Sequence, residues 1–247
     1  MSILKDAIEK IEAMTQPVIQ EIDGHTYSIE TDGGITEVRP DLDDPETITL
    51  SSLDGIVKMI QTEALLNPLS KPIYAQVRDT ETVYCFSQPI EKLRSIRPAL
   101  YEAKAMDVPG WNAKTEMRFD EAIIALRTRF QETPDTEYAL KLLSDITTGA
   151  HVTYNDNGIA QTVVTKTGVA LQQNAQIRPI ISLRPYRTFQ EVEQPASDFL
   201  IRIGERGITF IEADGGMWKL AARKTVKAYL EAALEAEIQN GEVVVML

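Results

Sequence analysis

The chain has 247 residues, of which 43% are hydrophobic, and its 25 Lys and Arg stand against 37 Asp and Glu, a net charge of −12. This composition is typical of a folded, soluble protein and is too apolar for a disordered chain. The single cysteine, Cys85, excludes an intramolecular disulfide. No stretch has the roughly 20 consecutive apolar residues of a membrane span, and the start lacks the apolar core of a signal peptide. We therefore expect a cytoplasmic protein without membrane contact.

The negative charge is concentrated near the N-terminus. Residues 1–63 contain 4 basic and 14 acidic side chains, whereas residues 64–247 contain 21 and 23. The stretch 157–190 contains no acidic residue. Global acidity argues against a protein that coats duplex DNA, because neutralising phosphates requires a basic face. It is compatible with a local anion-binding groove, and chance clustering on ordinary solvated faces is the other interpretation.

The first 45 residues predict an N-terminal helix followed by an acidic arm. Apolar residues recur at helical spacing at Leu4, Ala7, Ile8, Ile11, Met14 and Val18. This spacing predicts an amphipathic helix over residues 2–16 that ends near Pro17 and serves as a docking helix or an oligomer contact. A short strand is expected at His25–Glu30, and the acidic, turn-rich residues after it indicate an exposed linker.

Residues 46–247 predict a single α+β domain. A helix follows Ser51 and Ser52, either of which is suited to cap it. Alternating and β-branched residues then predict a hairpin over 73–87. Two further helices are expected within 119–130 and 135–146, with Asp135 as the cap of the second.

From residue 150 the hydrophobic period changes to two, which predicts strands. The expected strands are 151–154 and 159–165 around an Asn-Gly turn, then 177–183, 199–203 and 208–213. A final helix over 217–238 precedes a strand at 243–247. Because strands and helices come in runs, we expect an α+β fold with a largely antiparallel sheet and flanking helices. The N-terminal amphipathic helix and the long C-terminal helix followed by a short strand complete this expectation.

The sequence contains no recognisable catalytic motif. Its two histidines, His25 and His151, lack partners at metal-ligand spacing, so no metal site is expected. Phosphate-binding glycine motifs and the Gly-x-Ser-x-Gly turn are absent, and we expect no cofactor. Cys85 lies between two aromatic residues, which favours a buried structural thiol over a nucleophile. Asp214-Gly-Gly is typical of a turn between a strand and a helix. A hydrolase that uses a pair of carboxylates remains a third hypothesis.

The segment from Arg178 to Pro195 combines arginines, aromatic residues, glutamines and three prolines. Proline restricts the residue before it to extended backbone, so Arg178 and Arg184 are held stiffly. Guanidinium groups bind phosphate through two parallel hydrogen bonds, and a neighbouring ring can stack on a base. The candidate ligand-binding residues are Lys166, Arg178, Arg184, Tyr186, Arg187, Phe189 and Gln190.

The competing interpretation of this segment is structural. In it, Tyr186 and Phe189 belong to the core, and the arginines pair with Glu191 and Glu193 across a subunit or domain contact. The two interpretations predict different exposure for the aromatic rings.

Several stretches occur in an order similar to one known family. They are Leu50–Gln61, the hairpin 73–87, the helix pair 119–146, Asn155–Gln161, Thr165–Gly168 and Arg184–Phe199. Over residues 46–247 the chain resembles the YfdQ-like family of phage and prophage proteins. The resemblance implies a viral origin and an accessory role in the cytoplasm of an infected or lysogenic bacterium. That family has no established reaction, so no catalytic residue carries over.

Two functions follow as hypotheses. In the first, a non-enzymatic phage accessory protein for DNA metabolism or counter-defence self-assembles and binds single-stranded nucleic acid or nucleotide-like anions through the candidate residues. In the second, a structural or interaction module inhibits a host protein through the acidic surface of residues 1–63. Both predict a homo-oligomer, through the N-terminal helix or through an edge strand at 243–247.

Overall fold

The computed structural model describes residues 10, 17–38, 46–67, 71–89, 97–111, 115–148, 151–156, 161–166, 172–204 and 207–247. Within 147–176 it describes the backbone only. The chain forms two compact units, Met1–Asp44 and Pro45–Leu247. The expected N-terminal helix, apart from residue 10, and the acidic linker from residue 39 onward lie outside the described residues.

The N-terminal unit contains a small antiparallel sheet. Its strands are β1 (Val18–Ile22), β2 (His25–Ile29) and β3 (Ile35–Glu37), in the order β1-β2-β3. The expected strand at His25–Glu30 corresponds to β2. The pairing aligns Val18, Ile29 and Ile35, which places them on one face because directly opposed residues share a face. This unit exposes apolar side chains, since Val18 is 60% and Ile35 68% exposed.

The larger unit begins with a five-stranded sheet covered by helices. Its elements are β4 (Ile48–Leu50), α1 (Leu53–Leu66), β5 (Ile73–Val77), β6 (Thr82–Phe86), β7 (Ala99–Lys104), α4 (Trp218–Ala233), α5 (Glu235–Gln239) and β14 (Val243–Met246). The strand order is β14-β5-β6-β7-β4. Successive side chains of a strand point to opposite faces, so Ile73, Ala75 and Val77 of β5 share one face. On that face they pack with α1 and α4 in the first core.

A second core forms where helices pack on an antiparallel sheet. The helices are α2 (Phe119–Arg129) and α3 (Pro134–Thr148), and the strands are β11 (Ile180–Leu183), β12 (Ser197–Ile203) and β13 (Ile208–Glu212). Phe199, Ile201 and Ile203 alternate along β12 and point into this core. A separate antiparallel sheet contains β8 (His151–Asp156), β9 (Gln161–Lys166) and β10 (Gln172–Gln176).

The α+β class and the mostly antiparallel pairing are confirmed, including the C-terminal helix followed by a short strand. Two pairs are parallel, β14 with β5 and β4 with β7. The final helix is interrupted at Leu234, where α4 ends and α5 begins. No helix in the described part of the chain is both long and apolar enough to cross a membrane.

Two local expectations are corrected. Asp135 does not cap α3; the hydroxyl of Thr133 accepts the hydrogen bond from the backbone N–H of Thr136, and Asp135 binds Arg178 instead. The expected strand 177–183 is shorter, because regular pairing in β11 starts at Ile180, just after Pro179. Proline has no N–H to donate to a strand ladder, which accounts for the later start.

Candidate functional site

The candidate site is built on the segment 184–195, which is organised by the buried side chain of Gln194. Its carboxamide oxygen accepts hydrogen bonds from the backbone N–H groups of Arg187, at 2.9 Å, and Thr188, at 3.3 Å. Its amide nitrogen donates to the backbone carbonyls of Phe189, at 2.9 Å, and Val192, at 3.3 Å. One side chain therefore fixes the backbone of an irregular loop that would otherwise leave buried polar groups unpaired.

The same segment joins the two cores of the larger unit. At its start, Pro185 forms a β-bridge with Phe130 at the end of α2. Further on, Phe189 and Val192 are buried in the first core, and the hydroxyl of Thr188 donates to the backbone carbonyl of Thr80 in the β5–β6 turn. These contacts hold Arg187 at the junction between the β5–β6 hairpin and the β12–β13 sheet.

Arg187 is the only one of the predicted arginines that the structure buries, with 8% of the residue exposed. Its Nη1 forms an ion pair with Glu212 at the end of β13. The guanidinium group lies 4.1 Å from the ring centre of Trp218 and 5.7 Å from that of Phe199. Burial lowers the pKa of Arg187, while the hydrogen bond and charge of Glu212 and the charge of Asp214 act in the opposite direction. A guanidinium between two rings and one carboxylate remains charged.

The second edge of this guanidinium has no partner in the described part of the chain. The Nε and Nη2 atoms of Arg187 are buried and make no hydrogen bond there. The indole nitrogens of Trp111 and Trp218 are also buried and unpaired among the described residues. Buried donors without partners are rare in folded proteins, because each costs about 1–3 kcal/mol of desolvation. Four such donors on three side chains indicate a polar site rather than ordinary core.

A cavity of about 320 Å³ adjoins these side chains. It is lined by Glu81, Val108, Pro109, Gly110, Trp111, Tyr186, Arg187, Glu212 and Trp218. The lining thus combines three aromatic rings, two carboxylates and one guanidinium. The volume is at the lower end of the range of small-molecule sites.

The Asp214-Gly-Gly turn positions Trp218 at this cavity. Both glycines have positive φ, 65° at Gly215 and 82° at Gly216, which a side-chain-bearing residue rarely adopts. The Asp214 carboxylate accepts hydrogen bonds from the Ser197 hydroxyl and from the backbone N–H groups of Gly216 and Trp218. Burial alone would raise the pKa of Asp214, but these hydrogen bonds and the charge of Arg187 lower it overall. The turn interpretation is confirmed, and its carboxylate accepts hydrogen bonds from backbone N–H groups in the turn and at the first residue of α4.

The structure distributes the other predicted arginines over separate ion pairs. Arg178 lies 3.8 Å above the ring of Tyr138 and binds Asp135, and about half of its side chain is exposed. Arg184 pairs with Glu193, the partner that the structural interpretation named, but the pair lies within the segment itself and not across a subunit or domain contact. Glu191, the other partner predicted there, instead accepts a hydrogen bond of 2.7 Å from the backbone N–H of Leu53 at the start of α1.

The remaining predicted residues are also separated. Phe189 is 1% exposed in the first core, as the structural interpretation of the segment predicted, and the stacking of a ligand base on a ring of this segment stays a prediction. Tyr186 lines the Arg187 cavity. Gln190 is exposed, lies at a different cavity with Asp107 and Glu191, and donates to the carbonyl of Asp107 at 3.4 Å. Lys166 ends β9, and its side chain lies outside the described atoms.

Sequence reasoning missed most of the cavity. Glu81 lies just before β6, Trp111 lies in the irregular connection between β7 and α2, and Glu212 and Trp218 flank the Asp-Gly-Gly turn. One signal was present: the chain has only two tryptophans, and both line this cavity. Tryptophan is costly to bury without a partner for its N–H, so two tryptophans near irregular segments are informative.

The other chemistries considered above gain no support from the described residues. No group of three or more His, Cys, Asp or Glu suited to hold a metal ion is present there. Cys85 is buried on β6, and desolvation raises the pKa of its thiol to about 12. The prediction of a buried structural thiol is therefore confirmed.

The resemblance to phage proteins stays a prediction. Comparisons of the chain with protein-family models, with curated proteins and with solved structures give no match.

Proposed function

We propose that this protein is a non-enzymatic accessory protein that binds a small nucleotide-like ligand in the cavity at Arg187. The observation that supports this most directly is the unpaired Nε–Nη2 edge of a buried, charged guanidinium beside a cavity lined by two tryptophans. A charged group with two unpaired donors costs free energy in the folded state unless a ligand or water satisfies it. Evolution retains such costs mainly at functional sites.

The arrangement favours a small ligand over an extended nucleic-acid strand. Binding along a strand requires exposed cations that track the phosphates. Arg178 and Arg184 are the exposed arginines of the predicted groove, and each is already paired with a carboxylate. The unpaired donor atoms are themselves buried. Because Nε and Nη2 are themselves covered, ligand entry includes a small displacement of the cavity wall.

The proposal is that the protein binds its ligand and does not catalyse a reaction on it. The described lining of the cavity contains no histidine, cysteine or serine that would act as a nucleophile or general base. Of its two carboxylates, that of Glu212 is bound to Arg187. The phage origin, the self-assembly and the role in DNA metabolism or counter-defence belong to the same proposal and rest on the sequence alone.

Isothermal titration calorimetry with nucleoside monophosphates and with short single strands tests the proposal. We expect mononucleotides to bind and longer strands to gain no affinity from their extra phosphates. The double variant Arg187→Met/Glu212→Gln should lose at least about tenfold in affinity, because it removes the donor fork. It removes both charges together, so no buried charge is left unpaired and the fold is retained.

The matched controls are Arg178→Ala and Arg184→Ala, which remove exposed arginines of the same segment. They should bind as the parent protein does. Unchanged affinity in the double variant, or loss of affinity in these controls alone, would move the site to the protein surface. Release of a hydrolysed product during the titration would contradict the non-enzymatic part of the proposal.

A second candidate function is interaction with a host protein through the N-terminal unit. The exposed apolar residues of β1 and β3 support it, together with the excess of acidic residues over residues 1–63. Its test is deletion of residues 1–45, which should abolish the inhibitory activity and leave nucleotide binding intact.

A further inference from the structure

We infer that the group which enters the Arg187 cavity is the base of the ligand and that this base is guanine. The inference rests on the proposed function and names the ligand of the same site. It follows from three properties of the cavity, which are the geometry of the unpaired guanidinium edge, the sign of the surrounding charge and the mixed donors and acceptors of the lining.

The geometry of the guanidinium selects a ligand with two adjacent acceptors. Nη1 of Arg187 is taken by Glu212, and the unpaired atoms are Nε and Nη2. These two atoms lie on one edge of the planar group, and their N–H bonds are parallel. Such an edge pairs with the two oxygens of a carboxylate or phosphate, or with O6 and N7 of guanine. A ligand with a single acceptor leaves one of these two buried nitrogens without a hydrogen-bond partner.

The surrounding charge favours a neutral acceptor over an oxyanion. Arg187 is already paired with Glu212, and the negative charge of Asp214 also acts on it. Glu81 adds another carboxylate to the lining. Among the side chains that line the cavity, two carboxylates stand against one guanidinium, so a phosphate at the guanidinium edge would be repelled by them in a partly desolvated site. The O6–N7 edge of guanine carries two acceptors without a net charge.

The rest of the lining complements the other edge of the same base. Guanine carries donors at N1 and N2, and the carboxylates of Glu81 and Glu212 are acceptors with lone pairs to spare. The rings of Trp111 and Tyr186 offer apolar surface against which a base can stack, whereas one face of the Trp218 ring already lies on the guanidinium of Arg187. Adenine presents an amino group where guanine has O6, so it would place a donor against a donor at Arg187. A cavity of about 320 Å³ is of a size to admit a base and leaves the phosphate at its mouth.

Intrinsic fluorescence tests this directly, because both tryptophans of the chain line the cavity. The probes are guanosine, adenosine, cytidine and uridine, which have no phosphate, then ribose 5-phosphate, inorganic phosphate and acetate. Guanosine should change the fluorescence and bind at least about tenfold more tightly than the other nucleosides, the discrimination that one bidentate pair supplies. 7-Deazaguanosine lacks the N7 acceptor and should lose most of that preference.

The variant Arg187→Lys separates recognition from stability. It keeps the positive charge beside Glu212 but has no planar fork, so the preference for guanosine over adenosine should disappear. Gln190→Ala, at the separate cavity, should keep it. Unfolding of each variant is followed by circular dichroism, and guanosine protection of the parent protein against heating gives a second readout if the lysine variant does not fold.

The outcomes distinguish this inference from the proposed function. Binding of nucleotides, ribose 5-phosphate or acetate without binding of guanosine would overturn the inference and keep the proposed site. Equal binding of all four nucleosides would overturn the choice of guanine. Absence of binding by every probe would overturn both. A short oligonucleotide with one unpaired guanine distinguishes a free nucleoside from a base within a strand as the source of the guanine. If the source is a strand, the oligonucleotide binds more tightly than guanosine; if it is a free nucleoside, it does not.

Discussion

Gln194 is the residue on which the geometry of the site depends most. Its four hydrogen bonds hold the backbone of residues 187–192, and the side chain is 1% exposed. Gln194→Ala would leave those buried backbone groups unpaired and create a void. We expect the free energy of unfolding to fall by about 2–4 kcal/mol, measured by denaturant titration.

Gln190→Ala is the control for that prediction, since Gln190 is exposed and its one hydrogen bond is 3.4 Å long. It should change the free energy of unfolding by less than about 0.5 kcal/mol. Equal effects of the two substitutions would mean that Gln194 does not organise the segment.

The accessibility of the Cys85 thiol can be used to test the packing of the first core. It is fully buried on β6, and desolvation raises the pKa of its thiol to about 12. A thiol with such a raised pKa stays protonated at neutral and mildly alkaline pH. It is then unreactive, because the thiolate is the reactive form. We expect a thiol reagent such as Ellman's reagent to leave the native protein unlabelled at neutral pH and to label one thiol per chain after denaturation. Rapid labelling of the native protein would contradict this packing.

At the scale of elements, the start of α4 depends on the Asp214 carboxylate, whose pKa is lowered in the folded protein. A lowered carboxyl pKa stabilises the fold above the unfolded value, and this contribution is lost as the pH falls through the folded value. We therefore expect Asp214→Ala to cost about 1–2 kcal/mol at neutral pH, because the backbone N–H groups of Gly216 and Trp218 lose their acceptor. The difference from the parent protein should shrink below about pH 4.

Asp198→Ala is the matched control, because Asp198 is an exposed aspartate on the adjoining strand β12. Denaturation curves of the three proteins at several pH values provide the measurement. A difference between Asp214→Ala and the parent that stayed constant from neutral to acid pH would show that the carboxylate charge makes no contribution.

Most elements were predictable because their signals are local. The Ser52 cap, the apolar stripe of α1 and the alternation along β5 and β6 all lie within a few residues of one another. The partners of Arg187 and Arg178 were not predictable, because Arg187 binds a residue 25 positions away and Arg178 one 43 positions away. The parallel pairing of β14 with β5 joins distant parts of the chain for the same reason.

Part of the candidate site could be predicted from the sequence. The 178–195 segment stands out by composition, and Arg187 and Tyr186 within it do line the cavity. Composition does not tell a buried guanidinium from an exposed one, however, so Arg187 could not be separated from Arg184. Trp111 and Glu81 reach the cavity only through the packing of the β7–α2 connection and the β5–β6 turn, which depends on tertiary contacts.

At the scale of the whole molecule, both hydrophobic cores belong to the unit Pro45–Leu247. The N-terminal sheet has no buried side chain among its described strand residues. A three-stranded sheet with exposed apolar residues favours association. The N-terminal sheet exposes more apolar surface than the edge strand β14, where Val244 is 41% exposed. It therefore offers a third route to an oligomer, besides the N-terminal helix and the edge strand considered above.

These properties lead to a prediction about the mass of the protein in solution. The full chain should form a defined oligomer by size-exclusion light scattering, and a chain beginning at residue 46 should be a monomer with the same thermal midpoint, because its two cores are intact. The substitution Val244→Lys on β14 is the control for the edge-strand route and should leave the oligomer unchanged, since a lysine on a strand edge blocks only edge pairing. The opposite result would be a shortened chain that keeps the full oligomeric state and a Val244→Lys variant that dissociates into monomers. Subunits would then associate through β14, and the exposed N-terminal sheet would be available to bind a different protein.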